Sequence, residues 1–325
     1  GNRGLECFLF NNAKNLTLTS SGKGLIDGNG GKWWGIPGIG YLIRQENRPR
    51  LMRFEHCSDL TVENLILKNS PYWTFFAGQV NGLTVRYTDI DVRRTQIDSH
   101  DIVDLTAFNT DGFDVTGRNV HIHDCNVWNQ DDSIAVKDDS QNMLFERVNV
   151  SGLGLAIGSI SGSIVRNITF RDCYLHHTYK GIYMKFRDGE KPGFVEDITY
   201  ENIVMDEPEQ WPIWIGPAQQ SDSNNLCAPH PCSICWPHFG FKCNMPKAAL
   251  YRNVTLRNIL INNPKSSPGV VLGNTENPMQ NIVFDNVVVK GAKKGSEDYH
   301  TCVGSQGIAT GGTYPVPKCF KEVDN

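Results

Sequence analysis

The sequence predicts an all-β solenoid, a single-stranded right-handed parallel β-helix, on three observations. One phrase recurs eight times between Asp59 and Val289: a turn with Asn or Asp, three alternating residues, a second Asn or Asp, then a β-rich triplet. Within each copy the second, fourth and seventh residues are mostly apolar and often β-branched, which is the period-two alternation of short strands. No long helical periodicity competes. The steps between copies vary through the twenties and thirties, with one longer step, so neither the constant leucine lattice of a leucine-rich repeat nor blades of about 40 residues are present.

Taken in order, the copies are Asp59–Leu67, Gly82–Ile90, Asn119–Val127, Asn142–Val150, Asn167–Leu175, Asp197–Met205, Asn253–Ile261 and Asn281–Val289. Coils stacked about 4.8 Å apart place each side chain above its counterpart on the next coil. Cys125 and Cys173 fall at equivalent positions two coils apart, too far for a disulfide, and read as buried thiols. The remaining eight cysteines are the expected bridge formers. Residues 1–325 read as one β-helix domain, with a Cys-rich insertion near 218–248 and a disulfide-type tail near 292–325.

Composition narrows the function classes. A formal charge of −4 from 31 basic and 35 acidic residues gives no basic field for nucleic acid. No run of about 18 apolar residues suggests a membrane helix. The chain opens at Gly1 without a signal-peptide pattern, which reads as a mature or trimmed start. Ten cysteines and four sequons, at Asn15, Asn149, Asn167 and Asn253, point to a secreted, glycosylated protein, and since a glycosylated solenoid with polar faces has no need of a second subunit, a monomer is expected. Cys227, Cys232, Cys235 and Cys243 crowd a Pro-rich segment, as a disulfide-stapled loop does. The competing reading there is zinc held by Cys232 and Cys235 with His230 and His238.

The strings Asn109-Thr-Asp-Gly-Phe-Asp114 and Asn129-Gln-Asp-Asp132 carry the chemistry. Asp111 and Asp131 stand 20 positions apart, close to one coil, so Asp111, Asp131 and Asp132 are expected on neighbouring coils of one face. Carboxylates gathered in this way raise the pKa of at least one of their number, and a proton donor beside ionised bases is what glycosidic cleavage requires. Asn, Asp and Gly are also the ordinary turn residues of a solenoid, so spacing alone leaves both readings open. The loop Arg93–Phe108 precedes Asp111 and is expected to wall the cleft, with Asp98, His100, Asp101 and Asp104 in reach.

These strings resemble the signature of the polygalacturonase family of glycoside hydrolases, family 28. The likeness extends to Gly152-Leu-Gly-Leu-Ala-Ile-Gly-Ser159, to Gly181-Ile-Tyr-Met-Lys185, and to Gly24-Leu-Ile-Asp-Gly-Asn-Gly30 with Trp33 and Trp34. It covers nearly the whole chain except the Cys-rich insertion. The resemblance implies an inverting hydrolase of pectic polysaccharide with no metal or organic cofactor. It makes Asp131 the general acid and Asp111 and Asp132 the pair that holds and deprotonates water, while Asp114 reads equally as an orienting residue or a plain turn residue. Asn109, Asp114, Gln130, Tyr183 and Lys185 become substrate-binding candidates.

The sequence departs from the family in two places. Leu153 stands where the Gly-His-Gly string carries histidine, and Tyr183 stands where an arginine is usual, replacing a bidentate fork with a phenol. One reading is a hydrolase of a decorated or mixed backbone of the rhamnogalacturonan or xylogalacturonan type. A second is a non-catalytic polysaccharide-binding relative, and a third is a calcium-dependent pectate lyase, which shares the β-helix. Tyr72 with Trp73 is a possible sugar platform, and Trp34 with Trp33 a structural plug.

Overall fold

The computed structural model describes residues 5–35, 48–95, 99–101, 103–187, 191–218, 232–235, 243, 245–265, 269–292 and 300–323. They divide into two compact units, Gly1–Val136 with Ser140–Leu155, and Lys137–Asp139 with Ala156–Asn325. Both are built from parallel strands, each paired with its counterpart on the next coil.

In the first unit, short strands such as Arg50–Glu55 alternate with long ones that carry the repeat phrase, such as Ser58–Lys68. In Phe75–Arg86 and Phe113–Trp128 the two run together. The second positions of the phrases pair in register, Leu60 with Leu83, Leu83 with Val120, and Val120 with Met143, and all four side chains are buried. Leu16 pairs with Leu60, so Asn15 opens a further copy of the phrase. The sequence reading omits this copy because extra residues between Thr19 and Gly24 shift the register and break the pattern. In the second unit Ile168, Ile198, Val254 and Ile282 form the equivalent inward column.

The Asn and Asp residues of the phrase set the corners. The first positions Asp59, Asn119, Asn142, Asn167, Asp197, Asn253 and Asn281, and the sixth positions Asn64, Asp124, Asp172, Asn202, Asn258 and Asn286, have φ between 52° and 59°. This left-handed region is costly for most L-residues and least so for Asn and Asp after glycine. Many of the same side chains then join coil to coil. In the second unit Asn202 Nδ2 donates to Asp172 Oδ1 (2.9 Å), Asn258 to Asn202 (3.0 Å) and Asn286 to Asn258 (3.0 Å). A parallel file runs from Asn281 to Asn253 to Asp197. In the first unit Asn149 donates to Asn126, and Asn126 to Asp89. The sequon residues Asn15, Asn149, Asn167 and Asn253 are all exposed, and Asn149 and Asn253 belong to these files.

Cys125 and Cys173 are buried free thiols, as expected, and burial pushes Cys125 up to about 12. Cys302 bridges Cys319 and Cys232 bridges Cys243, so Cys232 is not available as a zinc thiolate. The expectation that the other eight cysteines pair is corrected at two of them, since Cys7 and Cys57 are also free. Cys57 is buried at a corner, its thiol directed at the carbonyls of Phe10 and Glu55 (3.3 Å each), while Cys7 is exposed. Cys227, His230, His238 and the Cys235 side chain lie outside the described residues. Trp34 is buried with Nε1 donating to Ser70 O (2.9 Å), whereas Trp33 is exposed.

His300, on the strand His300–Val303, packs fully buried beside Phe284, and burial lowers its pKa from 6.5 to about 4. The native chain thus refuses a proton that the unfolded chain accepts below about 6.5. Stability is unaffected by this group above that pH and is lost as pH falls toward about 4, by about 3 kcal/mol in all. Replacing His300 with Phe is expected to flatten the decline between those two pH values, read from urea midpoints across the range.

Candidate active site

The first unit brings the three predicted carboxylates together. Asp111 and Asp132 occupy matching positions on neighbouring coils, where Gly112 N donates to Asp132 O (2.8 Å) and Phe113 N to Ser133 O (3.0 Å). One carboxylate oxygen from each of Asp111, Asp131 and Asp132 lies within 4.8 Å of the other two, and the residues are 4%, 6% and 1% exposed. Close stacking here depends on glycine. A Cβ on Gly112 would fall 2.2 Å from Ser133 O, and one on Gly152 would fall 2.4 Å from Asn129 Oδ1.

Hydrogen bonds fix the orientation of Asp131. Its Oδ2 accepts from Asn109 N (3.1 Å) and Asn109 Nδ2 (3.3 Å), and its Oδ1 accepts from Asp132 N (2.8 Å). Asn109 can offer both groups because it adopts φ 59° at the corner before Asp111. Leu153 donates its backbone N–H to Asp131 O (2.7 Å), and its buried side chain supplies no proton-carrying group where the family resemblance implies histidine.

Asn129 is the brace beneath this arrangement. Its fully buried Nδ2 donates toward Thr110 O (3.0 Å), Asp131 O (2.9 Å) and Asp132 O (2.9 Å), while its Oδ1 accepts from Ser133 Oγ (3.0 Å). The string containing Asn129 stands out in the sequence, but the residue type does not reveal that its amide spans two coils.

Gln130, a substrate-binding candidate, is fully buried and turned into the protein. Its Nε2 donates to Val92 O (3.3 Å) and its Oε1 meets His100 Nδ1 (2.8 Å). The other ring nitrogen of His100 meets Ser151 Oγ (2.9 Å), so the loop before Asp111 clamps both ends of the coil that carries Asp131. Asp104 braces that loop by accepting from Arg94 N (2.6 Å) and Thr95 N (3.1 Å), and Asp101 caps Val103 N and Asp104 N. Asp98 lies outside the described residues. Asp114 is fully buried, in register with Phe76 and Ala135.

In the second unit, Tyr183 and Lys185 lie on the strand Ile182–Phe186 and are both buried. Tyr183 Oη donates to Oγ of Ser233 (2.7 Å), a residue of the short helix Cys232–Cys235 in the Cys-rich insertion. Lys185 Nζ lies 4.0 Å from the Tyr183 ring centroid, and Lys180 Nζ 5.0 Å. The phenol thus helps to hold the insertion and presents its face to two ammonium groups.

Residues 5–306 match the sequence model of Glycosyl hydrolases family 28. The chain belongs to this family. Similar curated proteins include Endopolygalacturonase I of Aspergillus niger, 31% identical over 59% of this chain and 50% of that protein, and Endopolygalacturonase A of Aspergillus niger, 32% identical over the same shares. The chain therefore spans about half the length of the curated relatives it matches. Among solved structures, the endo-xylogalacturonan hydrolase from Aspergillus tubingensis superposes with a TM-score of 0.65 at 18% identity, covering 100% of this chain and 80% of that one. Endopolygalacturonase I from Stereum purpureum, solved with two galacturonates, gives 0.63 at 20% identity, covering 100% and 95%. At such identities these likenesses speak for the fold, the right-handed parallel β-helix expected of a family 28 chain.

Removing the brace tests how the family 28 site is held. Asn129→Ala is expected to lower stability by about 1–3 kcal/mol, because buried carbonyls lose their donor, whereas Asn129→Asp sets a carboxylate against three carbonyl oxygens and is expected to cost more. Urea unfolding of both variants measures the difference.

Proposed function

We propose that this chain is the body of a secreted glycoside hydrolase that cleaves a pectic polysaccharide by aspartate acid–base catalysis. The cluster of Asp111, Asp131 and Asp132 carries the reading, because it gathers three carboxylates on two adjoining coils of one unit. Asp131 protonates the glycosidic oxygen as the bond breaks. Asp111 and Asp132 hold a water and take its proton as its oxygen bonds to the anomeric carbon. Asn109 keeps Asp131 oriented, and Gln130 serves the same coil from within.

In the second unit Lys185 is the proposed ligand for a uronate carboxylate, as a point charge without the geometric selection of an arginine fork. Tyr183 contributes by fixing that lysine and the insertion. The disulfides Cys232–Cys243 and Cys302–Cys319 support an oxidising, extracellular setting, and the four exposed sequons support glycosylation there. No nucleic acid, membrane or second subunit enters the proposal.

Release of reducing ends from polygalacturonan, xylogalacturonan, rhamnogalacturonan and a neutral glucan, wild type against Asp131→Asn, tests the reading. Hydrolysis of a pectic substrate that falls by about 10²–10⁴-fold in the variant is expected, the usual weight of acid–base catalysis. No release from any substrate, with glycan binding intact, would leave a binding protein.

Stereochemistry is a second test. A covalent glycosyl-enzyme would retain the anomeric configuration, whereas direct attack by water inverts it. Inversion is expected, since a third carboxylate lets two of the three hold water, and proton NMR of the first-formed anomer decides. The three carboxylates have oxygens spaced closely enough to surround a divalent cation, as the lyase reading requires. Activity unchanged by EDTA, with no ultraviolet-absorbing unsaturated product, is the expected result; calcium-dependent formation of such a product would replace hydrolase by lyase.

A further inference from the structure

One coil before Asp111, the first unit carries Trp73. Thr74 N donates to Asp111 O (2.8 Å) as Gly112 N donates to Asp132 O (2.8 Å), and Leu51 N donates to Trp73 O (3.0 Å). Arg50, Trp73, Asp111 and Asp132 therefore hold one position on four successive coils, with steps of about 4.8 Å. Trp73 is half-buried and meets Phe76 edge-on, with centroids 5.5 Å apart. The Arg50 guanidinium lies 4.8 Å from the Trp73 centroid and 5.3 Å from that of Phe76, and Arg53 lies 5.5 Å from Phe76. Tyr72 also stacks on Trp73, with centroids 5.6 Å apart and planes 6° apart; together these contacts hold the rings in place, and Trp73 stays half-buried one coil from Asp111.

Among the described residues the charges of this patch pair off, and His56 Nε2 also lies 3.6 Å from Glu55 Oε1. Arg50 pairs with Glu6 (3.0 Å), and Arg53 pairs with Glu6 (2.8 Å) and Glu55 (2.7 Å), so two cations meet two carboxylates. What remains is aromatic surface framed by hydrogen-bond donors and acceptors without net charge. A pyranose matches it, with an apolar C–H face to cover a ring and a rim of hydroxyls to exchange hydrogen bonds with paired ions. A uronate would bring its carboxylate up to Glu6 and Glu55 and would have to displace one of them from an arginine. An uncharged sugar meets no such repulsion.

We infer that Trp73 and Phe76, framed by Arg50 and Arg53, form a sugar subsite one coil to the N-terminal side of the carboxylate cluster, and that it takes an uncharged pyranose of the substrate. The subsite names a substrate class for the hydrolase proposed above and rests on that reading for its place in turnover, but binding at it can be measured without turnover.

The test uses the full chain carrying Asp131→Asn, titrated calorimetrically with three oligosaccharides of equal length: plain oligogalacturonate, xylose-branched oligogalacturonate and an alternating rhamnose–galacturonate oligomer. Adding Trp73→Ala is expected to weaken binding of a probe that contains uncharged sugar by about tenfold, the scale of losing one aromatic contact, and to change plain oligogalacturonate less than about twofold, while Trp73→Phe restores most of the loss. Equal weakening of all three probes, or of none, overturns the inference. Glu55→Gln provides a second arm that keeps the ring intact. By leaving Arg50 and Arg53 to share the single carboxylate of Glu6, it is expected to raise affinity for plain oligogalacturonate in a salt-sensitive way, and no gain overturns the claim of neutrality. If the parent without Asp131→Asn releases no reducing ends while Trp73 still selects neutral-sugar probes, the hydrolase reading fails and the subsite stands. If it cleaves pectic chains and Trp73→Ala leaves all three binding constants unchanged, the subsite fails and the hydrolase stands.

Discussion

The left-handed corner is the constraint on which the rest of this structure depends. Each coil must turn at the same places as its neighbours or the inward columns lose register, and in a period-two structure a slip of one residue would turn apolar side chains outward. Asn or Asp at the first and sixth positions of most phrases makes the turn locally favourable, so Leu60, Leu83, Val120 and Met143 arrive above one another. Exceptions occur at Tyr87 (φ 50°) and Arg147 (φ 51°), which take the same backbone shape without the favourable side chain.

The carboxylate cluster is the same device adapted to chemistry. Asp111 follows the corner at Asn109, and the coil bearing Asp131 and Asp132 is pinned to it by glycine-tight packing and by Asn129. Burying three acids side by side is costly unless their surroundings are rigid and supply hydrogen bonds. Asn109 and the Asp132 N–H answer Asp131 directly, and His100 stiffens the coil through Gln130 and Ser151.

Much of this was legible in the sequence because a repeat writes its geometry into spacing. The corners, the strands and the meeting of Asp111 with Asp131 and Asp132 all follow from positions one coil apart. What was not legible lies where spacing is interrupted or where residue type does not reveal direction. The copy at Asn15 is hidden by the register shift before Gly24. Trp73 and Asp111 are neighbours in space but 38 positions apart in sequence, because the loop Arg93–Phe108 lengthens that coil. Gln130 sits beside an acid that faces the chemistry and yet points inward, and Tyr183 binds the insertion; neither direction can be read from a motif.

The asparagine files of the second unit have a polarity. Every Nδ2 points back toward the preceding coil, from Asn286 to Asn258 to Asn202, and the file begins at Asp172, which accepts but has no amide hydrogen to pass on. The file from Asn281 through Asn253 begins in the same way, at Asp197. An aspartate is harmless at the head of such a file and damaging inside it. Deamidation of Asn258 would set two acceptor oxygens facing each other across the gap to Asn202 where a 3.0 Å hydrogen bond now stands. Asparagine is among the thermolabile residues, so the side chains that tie this solenoid together coil by coil are also the ones through which prolonged heating would age it.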